Sequence, residues 1–280
     1  MAQILDGRIP RDQIILRLKK RVQLLNPKPA LAIVQVGNRA ESNAYIKQKK
    51  IFAEKIGVVV KHLQLAPNIS EGSLLEKIKK LNKDSSVHGI VVQLPISEHL
   101  NELDIIKAIN PQKDVDGLTP GSKFVPATAK GILSLLDFYE FKLKGARAVV
   151  VGRSMLVGKP TALALLNRDV TVTVAHKQTK NLKEVTKTAD ILVVAIGDPK
   201  FIDSKYVKKG QVVVDVGINT KKLSLKEEIA TGKSQVLVGD VNFEKVKGIV
   251  RAISPVPGGV GAMTVASLFE NLVEAYKLQN

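Results

Sequence analysis

One segment near the middle of the chain constrains the fold most. Residues 147–151 read Arg-Ala-Val-Val-Val, Gly152 follows, and Gly158 precedes the apolar, helix-compatible residues 161–166. A continuous β-branched run is typical of a parallel strand covered on both faces, and a helix beginning near Gly158 would offer free N–H groups to a phosphate. Although the spacing departs from G-x-G-x-x-G, the pattern predicts a strand, a glycine turn and a helix that bind a nucleotide.

Further strand candidates follow this turn. They lie at 170–175, 191–196, 212–216 and 236–238, and several are separated by helix-compatible stretches. Such alternation is typical of a doubly wound parallel sheet. We therefore predict a Rossmann-like α/β domain over residues 141–261.

The end of the second strand bears on the choice of cofactor. An acid at this place holds the ribose 2′-hydroxyl of NAD, whereas a basic residue suits the 2′-phosphate of NADP. Here the strand ends in His176-Lys177, and Arg153 lies in the glycine turn. The sequence favours NADP, with Arg153 and Lys177 on the phosphate and His176 as a weaker candidate. For Arg153 or Lys177 taken singly, the alternative is a solvated surface cation.

The first half of the chain also alternates between strands and helices. Strands are predicted at 31–36, 58–65 and 89–94, and helices at 42–56, at 72–81 and ending near 104–109. This indicates a second α/β domain, predicted over 1–140, with the helix 262–280 packing back on it. The boundary falls in the Pro/Gly-rich stretch 119–126 or in the helix after it, and a cleft between two such domains is a favoured ligand site.

Composition excludes several classes of protein. The 280 residues are 45% hydrophobic, without an apolar run of transmembrane length or a signal-peptide pattern, so a soluble, cytoplasmic protein is expected. The absence of cysteine excludes a disulfide framework and thiolate chemistry. The basic segment 1–25 is interrupted by Asp6 and Asp12, which favours a folded amphipathic helix over a transit peptide.

The formal charge of +17 does not by itself indicate a nucleic-acid partner. The excess of basic over acidic residues is 7 in residues 1–118 and 10 in the remainder, so it is spread over both halves. There is no basic tail and little aromatic interleaving, and we expect no nucleic-acid or membrane partner. A diffuse positive field attracts an anionic small substrate, but a general compositional bias explains the charge equally well.

Three polar features mark the first half. Tyr45 and Lys49 are four residues apart and share a helix face. A lysine exchanges protons near neutral pH when desolvation lowers its pKa; the alternative is a solvated basic helix face. Gln93 ends a strand, at the edge where open α/β sheets bind ligands, and Asp114 and Asp116 lie in a tight turn.

A Pro/Gly-rich segment near the C-terminus joins an apolar strand to an apolar helix. Residues 254–264 read Ser-Pro-Val-Pro-Gly-Gly-Val-Gly-Ala-Met-Thr. Proline fixes φ and glycine permits close approach to a ligand, so the segment is suited to an unusual path beside a bound molecule. A stiff turn without a ligand is the alternative.

Taken together and in this order, these segments resemble the bifunctional methylenetetrahydrofolate dehydrogenase/cyclohydrolase family. The resemblance covers nearly the whole chain. Its most specific stretches are 36–49, 91–95, 113–117, 149–158 and 255–261.

The resemblance implies two reactions and a set of residues for them. Such an enzyme oxidises 5,10-methylenetetrahydrofolate with NADP and hydrolyses the methenyl product to 10-formyltetrahydrofolate. Lys49 matches the catalytic lysine; Tyr45 would stack on the folate, Gln93 would hydrogen-bond Lys49, and Asp116 would hold the pterin amino groups.

The remaining implications concern ligands and partners. Pro257, Gly258 and Gly259 would line the folate and nicotinamide site. The residues implied for NADP are Gly152, Arg153, Ser154, Val157, Gly158, His176, Lys177 and Ile218. The resemblance also implies a homodimer and substrates that include polyglutamylated folates.

Two positions depart from the family pattern. Ala129 and Ala262 stand where the family usually has proline, which should loosen the two loop entries while both reactions survive. Another NADP-dependent two-domain dehydrogenase, or a non-catalytic nucleotide- or nucleic-acid-binding protein, are the alternatives. No metal site is expected, because the histidines, at positions 62, 88, 99 and 176, are scattered and lack ligand spacing.

Overall fold

The structure is a computed structural model that describes residues 1–222 and 234–280. Contacts divide the chain into two compact units, which we name after their main sheets. The six-stranded unit comprises Met1–Arg11 and Thr128–Thr264, and the three-stranded unit comprises Asp12–Ala127 and Val265–Asn280. The domain limits 1–140 and 141–261 stay a prediction beside this division.

The elements are numbered in chain order. The strands are β1 Gln3–Ile4, β2 Ala30–Val36, β3 Val59–Leu65, β4 Gly89–Gln93, β5 Arg147–Val151, β6 Thr171–Ala175, β7 Ile191–Val194, β8 Val212–Asp215, β9 Asn219–Lys222, β10 Gln235–Val238 and β11 Ala252–Ile253. The helices are α1 Arg8–Gln23, α2 Ala40–Ile56, α3 Glu71–Lys83, α4 Glu102–Lys107, α5 Ala127–Phe138, α6 Gly158–Leu166, α7 Leu182–Thr188, α8 Phe243–Val246 and α9 Val260–Gln279, with a 3₁₀ turn at Ser204–Tyr206. No helix in the described ranges is long and apolar enough to cross a membrane.

The six-stranded unit is built on a parallel sheet with the order β1-β11-β8-β7-β5-β6. Its central strands β7 and β8 are buried along their whole length, as expected of strands covered on both faces. The chain passes from β5 to β6 on one side and then returns to β7 on the other side of β5. This reversal of strand order is the place where open α/β sheets bind ligands.

The prediction that residues 236–238 extend the parallel sheet is wrong. They belong to β10, which pairs antiparallel with β9 in a separate two-stranded sheet. Along β10 exposed residues alternate with half-buried ones, so it is suited to a ribbon with one face in solvent. The short strands β11 and β1 complete the parallel sheet instead.

The three-stranded unit has a parallel sheet with the order β3-β2-β4. β2 and β4 are completely buried, and their register places Gln35 beside Gln93 at the carboxyl ends. The C-terminal helix α9 packs in this unit, where Phe269 stacks on Phe52 with ring centroids 4.8 Å apart. Asn271 on the same helix donates from Nδ2 to the carbonyls of Val115 and Val125, both at 3.0 Å, and so fixes the ends of the segment 115–125.

Candidate active site

Helix α2 brings a buried lysine to the carboxyl end of the three-stranded sheet. Lys49 is 7% exposed, whereas its neighbours Lys47 and Lys50 are exposed. Its Nζ donates to Gln93 Oε1 at 2.9 Å. Tyr45, one turn earlier, is half-buried on the same helix. The alternative of a solvated basic face therefore applies to the neighbours but not to Lys49.

A hydrogen bond to the backbone of the next residue orients the Gln93 side chain toward Lys49. It is the last residue of β4 and is 8% exposed. Its Nε2 donates to the carbonyl of Leu94 at 2.8 Å, which fixes the amide and turns Oε1 toward the amine. The strand-end position that drew attention in the sequence thus corresponds to a fixed hydrogen-bond acceptor.

The pKa values of this group are shifted by burial. Burial lowers the pKa of Lys49, and the charge of Asp116 opposes that shift. Burial raises the pKa of Asp116, where Lys49 opposes the rise and Asp114 adds to it. Burial also raises the pKa of Tyr45, so its phenol stays a hydrogen-bond donor. A lysine whose pKa is lowered is able to exchange protons near neutral pH.

One of the two acids in the turn 111–117 has a structural role. Asp114 accepts hydrogen bonds from the Gly117 N–H at 3.1 Å and from the Thr119 N–H and hydroxyl at 2.6 and 2.8 Å. The side chain of Asp114 therefore stabilises the turn. The backbone carbonyl of Asp116 accepts from the Ala127 N–H at 3.0 Å. Sequence reasoning missed this structural role, although an aspartate three residues before a glycine is its signal.

The glycine turn after β5 leaves no room for a side chain at either of its two glycines. Gly152 has φ +121°, and a Cβ there would lie 2.0 Å from the carbonyl oxygen of Ala195. A Cβ on Gly158 would lie 2.2 Å from the carbonyl oxygen of Gly152. The turn therefore depends on glycine at both places, as a loop that approaches a dinucleotide requires.

The start of α6 offers polar groups to a ligand. Ser154 Oγ accepts from the N–H groups of Val157 and Gly158 at 3.2 and 3.3 Å. Thr161 Oγ1 is buried in the first turn of the helix and has no hydrogen-bond partner in the described part of the chain. A hydroxyl without a partner in the first turn of a helix is a candidate contact for a phosphate.

The candidates for a 2′-phosphate lie around the ends of β5 and β6. Arg153 and Lys177 are exposed, whereas His176 is half-buried and its Nδ1 accepts from the Gln178 N–H at 3.2 Å. The two cations are thus accessible to a ligand, whereas the Nδ1 atom of the histidine already accepts a hydrogen bond within the turn 176–178. Ile218, which follows β8, is 40% exposed.

The Pro/Gly-rich loop is held by the N-terminal residues of the same unit. The Gly7 N–H donates to the carbonyl of Gly258 at 2.8 Å, and the Gly259 N–H donates to the carbonyl of Pro255 at 2.9 Å. Gly258 has φ +107°, and Pro257 is exposed. Sequence reasoning missed the contact with Gly7. A Cβ at this position would lie 2.2 Å from the carbonyl oxygen of Gly259, so the contact requires glycine.

The histidines lie apart. His62 Nε2 contacts Gln35 Oε1 at 2.9 Å, His88 Nδ1 accepts from the Ala30 N–H at 3.1 Å, and His99 Nε2 contacts the carbonyl of Ile69 at 3.0 Å. Within residues 1–222 and 234–280, no three ligating side chains come together in a group that could hold a metal ion.

Comparison with known proteins matches both parts of the chain. The family model described as "Tetrahydrofolate dehydrogenase/cyclohydrolase, catalytic domain" matches residues 5–116, and the one described as "Tetrahydrofolate dehydrogenase/cyclohydrolase, NAD(P)-binding domain" matches residues 126–280. The bifunctional protein FolD of Thermodesulfovibrio yellowstonii is 46% identical, over 99% of this chain and 98% of that protein.

Two solved structures are similar over their whole length. The bifunctional FolD enzyme of Campylobacter jejuni has a TM-score of 0.92 and 40% identity, with 100% of both chains covered. The Trypanosoma brucei FolD, solved with NADP and an inhibitor, has a TM-score of 0.91 and 31% identity, with 99% of this chain and 98% of that chain covered. These matches confirm the predicted two-domain α/β fold.

Proposed function

Because the chain belongs to the tetrahydrofolate dehydrogenase/cyclohydrolase family, we propose that Lys49, Gln93, Asp116 and Tyr45 serve both reactions of that family. The protein oxidises 5,10-methylenetetrahydrofolate to the methenyl form with NADP and hydrolyses that cation to 10-formyltetrahydrofolate. The observation that carries the residue assignment is the buried Lys49 amine, held by Gln93 within the field of Asp116.

The oxidation requires mainly that the folate be held in one orientation. The methylene carbon loses a hydride with its bonding pair, and the lone pairs of the two flanking folate nitrogens stabilise the cation that remains. Tyr45 stacks on the planar ring system, and Asp116 accepts hydrogen bonds from the pterin amino groups. Such positioning supplies a large part of the rate enhancement when the reacting atoms are held in contact.

The hydrolysis requires proton transfer, which we assign to Lys49. Water adds to the methenyl carbon and gives one proton to the neutral amine of Lys49. The bond from that carbon to the leaving ring nitrogen then breaks, the ammonium returns the proton to this nitrogen, and the hydroxyl proton passes to solvent as the formyl group forms. Burial lowers the pKa of Lys49, which favours the neutral amine, and Gln93 Oε1 keeps the amine in place.

The six-stranded unit fits a dinucleotide. NADP, when bound, supplies the hydride acceptor of the oxidation. Gly152 and Gly158 keep two positions of the turn free of side chains, and Ser154 and Thr161 at the start of α6 would hold the phosphates. Arg153 and Lys177 hold the 2′-phosphate, with His176 beside them. Val157 and Ile218 would contact the nucleotide, and Pro257, Gly258 and Gly259 would line the place of the nicotinamide.

Further properties belong to the same proposal. We infer a cytoplasmic homodimer that accepts polyglutamylated folates. The family supports the dimer, and the net charge of +17 favours an anionic polyglutamate tail.

The test measures both activities in one protein. NADPH formation from 5,10-methylenetetrahydrofolate and NADP is followed with the methenyl and 10-formyl products resolved, and with NAD run in parallel. Turnover with NADP that ends in the 10-formyl product is expected. Folded protein without turnover would overturn the proposed function.

The residue assignment is tested with Lys49→Ala. This variant should fold, lose hydrolysis and show impaired oxidation. Lys47→Ala is the matched control, because Lys47 is exposed on the same helix two residues earlier and should keep both activities. Unchanged hydrolysis in folded Lys49→Ala would refute the role of this lysine.

A further inference from the structure

Two buried aspartates at the carboxyl edge of the six-stranded unit have no part in the chemistry above. Asp215 is the last residue of β8 and is 3% exposed; Asp240 follows β10 by two residues and is fully buried. Carboxylates are rarely buried to this degree unless their oxygens are hydrogen-bonded. Their contacts show what they hold in place.

Asp240 joins the loop after β7 to the loop after β8. Its Oδ2 accepts from the N–H groups of Ile196 and Gly197 at 2.7 and 3.0 Å. Its Oδ1 accepts from Asn219 Nδ2 at 2.8 Å. One carboxylate thus fixes the backbone after β7 and the residue next to Ile218.

Asp215 joins the loop after β8 to the segment of Asp240. Its Oδ1 accepts from the N–H groups of Gly217 and Asp240, both at 3.0 Å, and its Oδ2 accepts from the Val241 N–H at 2.9 Å. Burial, with Asp240 adding to the effect, raises the pKa of Asp215 to about 7, against the opposing influence of these N–H donors. The donors therefore offset a considerable cost of burial.

The network extends to both ends of the nucleotide site. The Asp215 N–H donates to Ser254 Oγ at 2.8 Å, and Ser254 begins the Pro/Gly-rich loop. On the other side, the Ala195 N–H donates to the carbonyl of Val151 at 2.8 Å, and the Ala195 carbonyl lies against Gly152. The loop that Asp240 fixes is therefore the loop against which the glycine turn packs.

The carboxylates occupy space that two glycines leave open. A Cβ on Gly217 would lie 2.2 Å from Cγ of Asp240, and a Cβ on Gly239 would lie 1.8 Å from Oδ2 of Asp215. The carboxylate of Asp240 thus packs directly against the backbone of Gly217, and that of Asp215 packs against the backbone of Gly239. Such close seating transmits a change at either aspartate directly to the loops.

We propose that Asp215 and Asp240 are positioning residues for the nucleotide, which hold the loops after β7, β8 and β11 in the arrangement that NADP requires. This inference rests on the proposed function, because it takes NADP as the ligand. Asp240 acts through Ile196, Gly197 and Asn219, and Asp215 acts through Gly217 and Ser254. Neither aspartate needs to touch the cofactor.

The experiment compares the parent protein with three variants. Asp240→Ala removes all three side-chain contacts of Asp240, and Asn219→Ala removes one of them together with the 3.4 Å contact of the same amide with the Val238 carbonyl. Asn242→Ala is the matched control, because Asn242 lies two residues from Asp240 but its side chain caps α8 by accepting from the Lys245 N–H. NADP affinity is measured by calorimetry, and hydrolysis of the methenyl substrate, which consumes no NADP, is measured beside it.

The expected results separate positioning from general stability. Asp240→Ala should weaken NADP binding about tenfold or more, and Asn219→Ala about threefold, because the first removes three hydrogen bonds to the carboxylate and the second removes one of them. Both should keep hydrolytic kcat/KM within about twofold, because the residues assigned to hydrolysis make none of these contacts. Asn242→Ala should lower the Tm but leave NADP affinity unchanged.

Each other outcome has a definite meaning. A parent protein that does not bind NADP would overturn the proposed function itself. A parent that binds, with variants of equal affinity or with hydrolysis reduced in the same proportion as NADP binding, would overturn the positioning role. If Asp240→Ala fails to fold, Asn219→Ala decides, and unchanged NADP affinity in that variant refutes the inference.

Discussion

The hydrogen bond between Lys49 and Gln93 predicts that two substitutions of Gln93 shift the pKa of Lys49 in opposite directions. Gln93→Leu removes the acceptor that lies 2.9 Å from the amine. A hydrogen bond to a charged group contributes about 1.5–3 kcal/mol, and one pKa unit corresponds to about 1.4 kcal/mol. The neutral amine retains part of the interaction, so we expect the pKa of Lys49 to fall by about one unit. Gln93→Glu places a carboxylate at the same position and should raise it.

The assay is the pH dependence of kcat/KM for hydrolysis of the methenyl substrate, with the spontaneous reaction subtracted. If the neutral amine of Lys49 is the base, activity rises with pH through the pKa of this group in the free enzyme. The acidic limb should therefore move to lower pH in Gln93→Leu and to higher pH in Gln93→Glu. Equal Tm values establish that both variants are folded. Limbs that stay in place, or that move in the same direction, would refute the reasoning.

Three further predictions concern the cofactor and stability. Arg153→Ala should weaken NADP binding far more than NAD binding, and equal weakening in calorimetry would indicate a general defect of the turn. Gly152→Ala should abolish NADP binding, because its Cβ would collide with the carbonyl of Ala195, while Gly72→Ala, where nothing lies within 4 Å, should bind normally. Burial lowers the pKa of His88, so its contribution to stability is complete above its unfolded pKa of about 6.5 and is lost as the pH falls toward the folded value. At pH values below the unfolded pKa, the Tm should therefore decrease as the pH is lowered, and it should decrease less in His88→Gln. Equal slopes of Tm against pH in the two proteins would contradict this assignment.

The sequence predicted the elements that carry a strong local pattern. The fully buried strands and the helices α2 and α3 were located within one or two residues, because their apolar runs or spacings are long. β1 has two residues, which is too short for any periodicity. Residues 236–238 were recognised as a strand, but their partner was wrong, because an apolar run of this length does not specify whether it pairs in parallel or antiparallel.

For the candidate site, too, the sequence predicted local relations between residues but not contacts between distant ones. The spacing of Tyr45 and Lys49 places them on one helix face, but the contact of Lys49 with Gln93 spans 44 residues and depends on how α2 packs against β4. The roles proposed for these residues stay predictions. Asp215 and Asp240 were missed. The argument applied to Gln93 would have found Asp215, because it is the last residue of a strand in a parallel sheet, but not Asp240, which follows a strand of the separate antiparallel pair.

The seating of Asp215 and Asp240 on two glycines has a consequence for how this sequence can change over time. Position 217 accepts a side chain only if residue 240 becomes shorter, and position 239 accepts one only if residue 215 does. The four positions therefore form two interdependent pairs, because a side chain at either glycine requires a shorter partner and a shorter partner loses the hydrogen bonds that hold the loops. Descendants of this chain should keep both pairs intact.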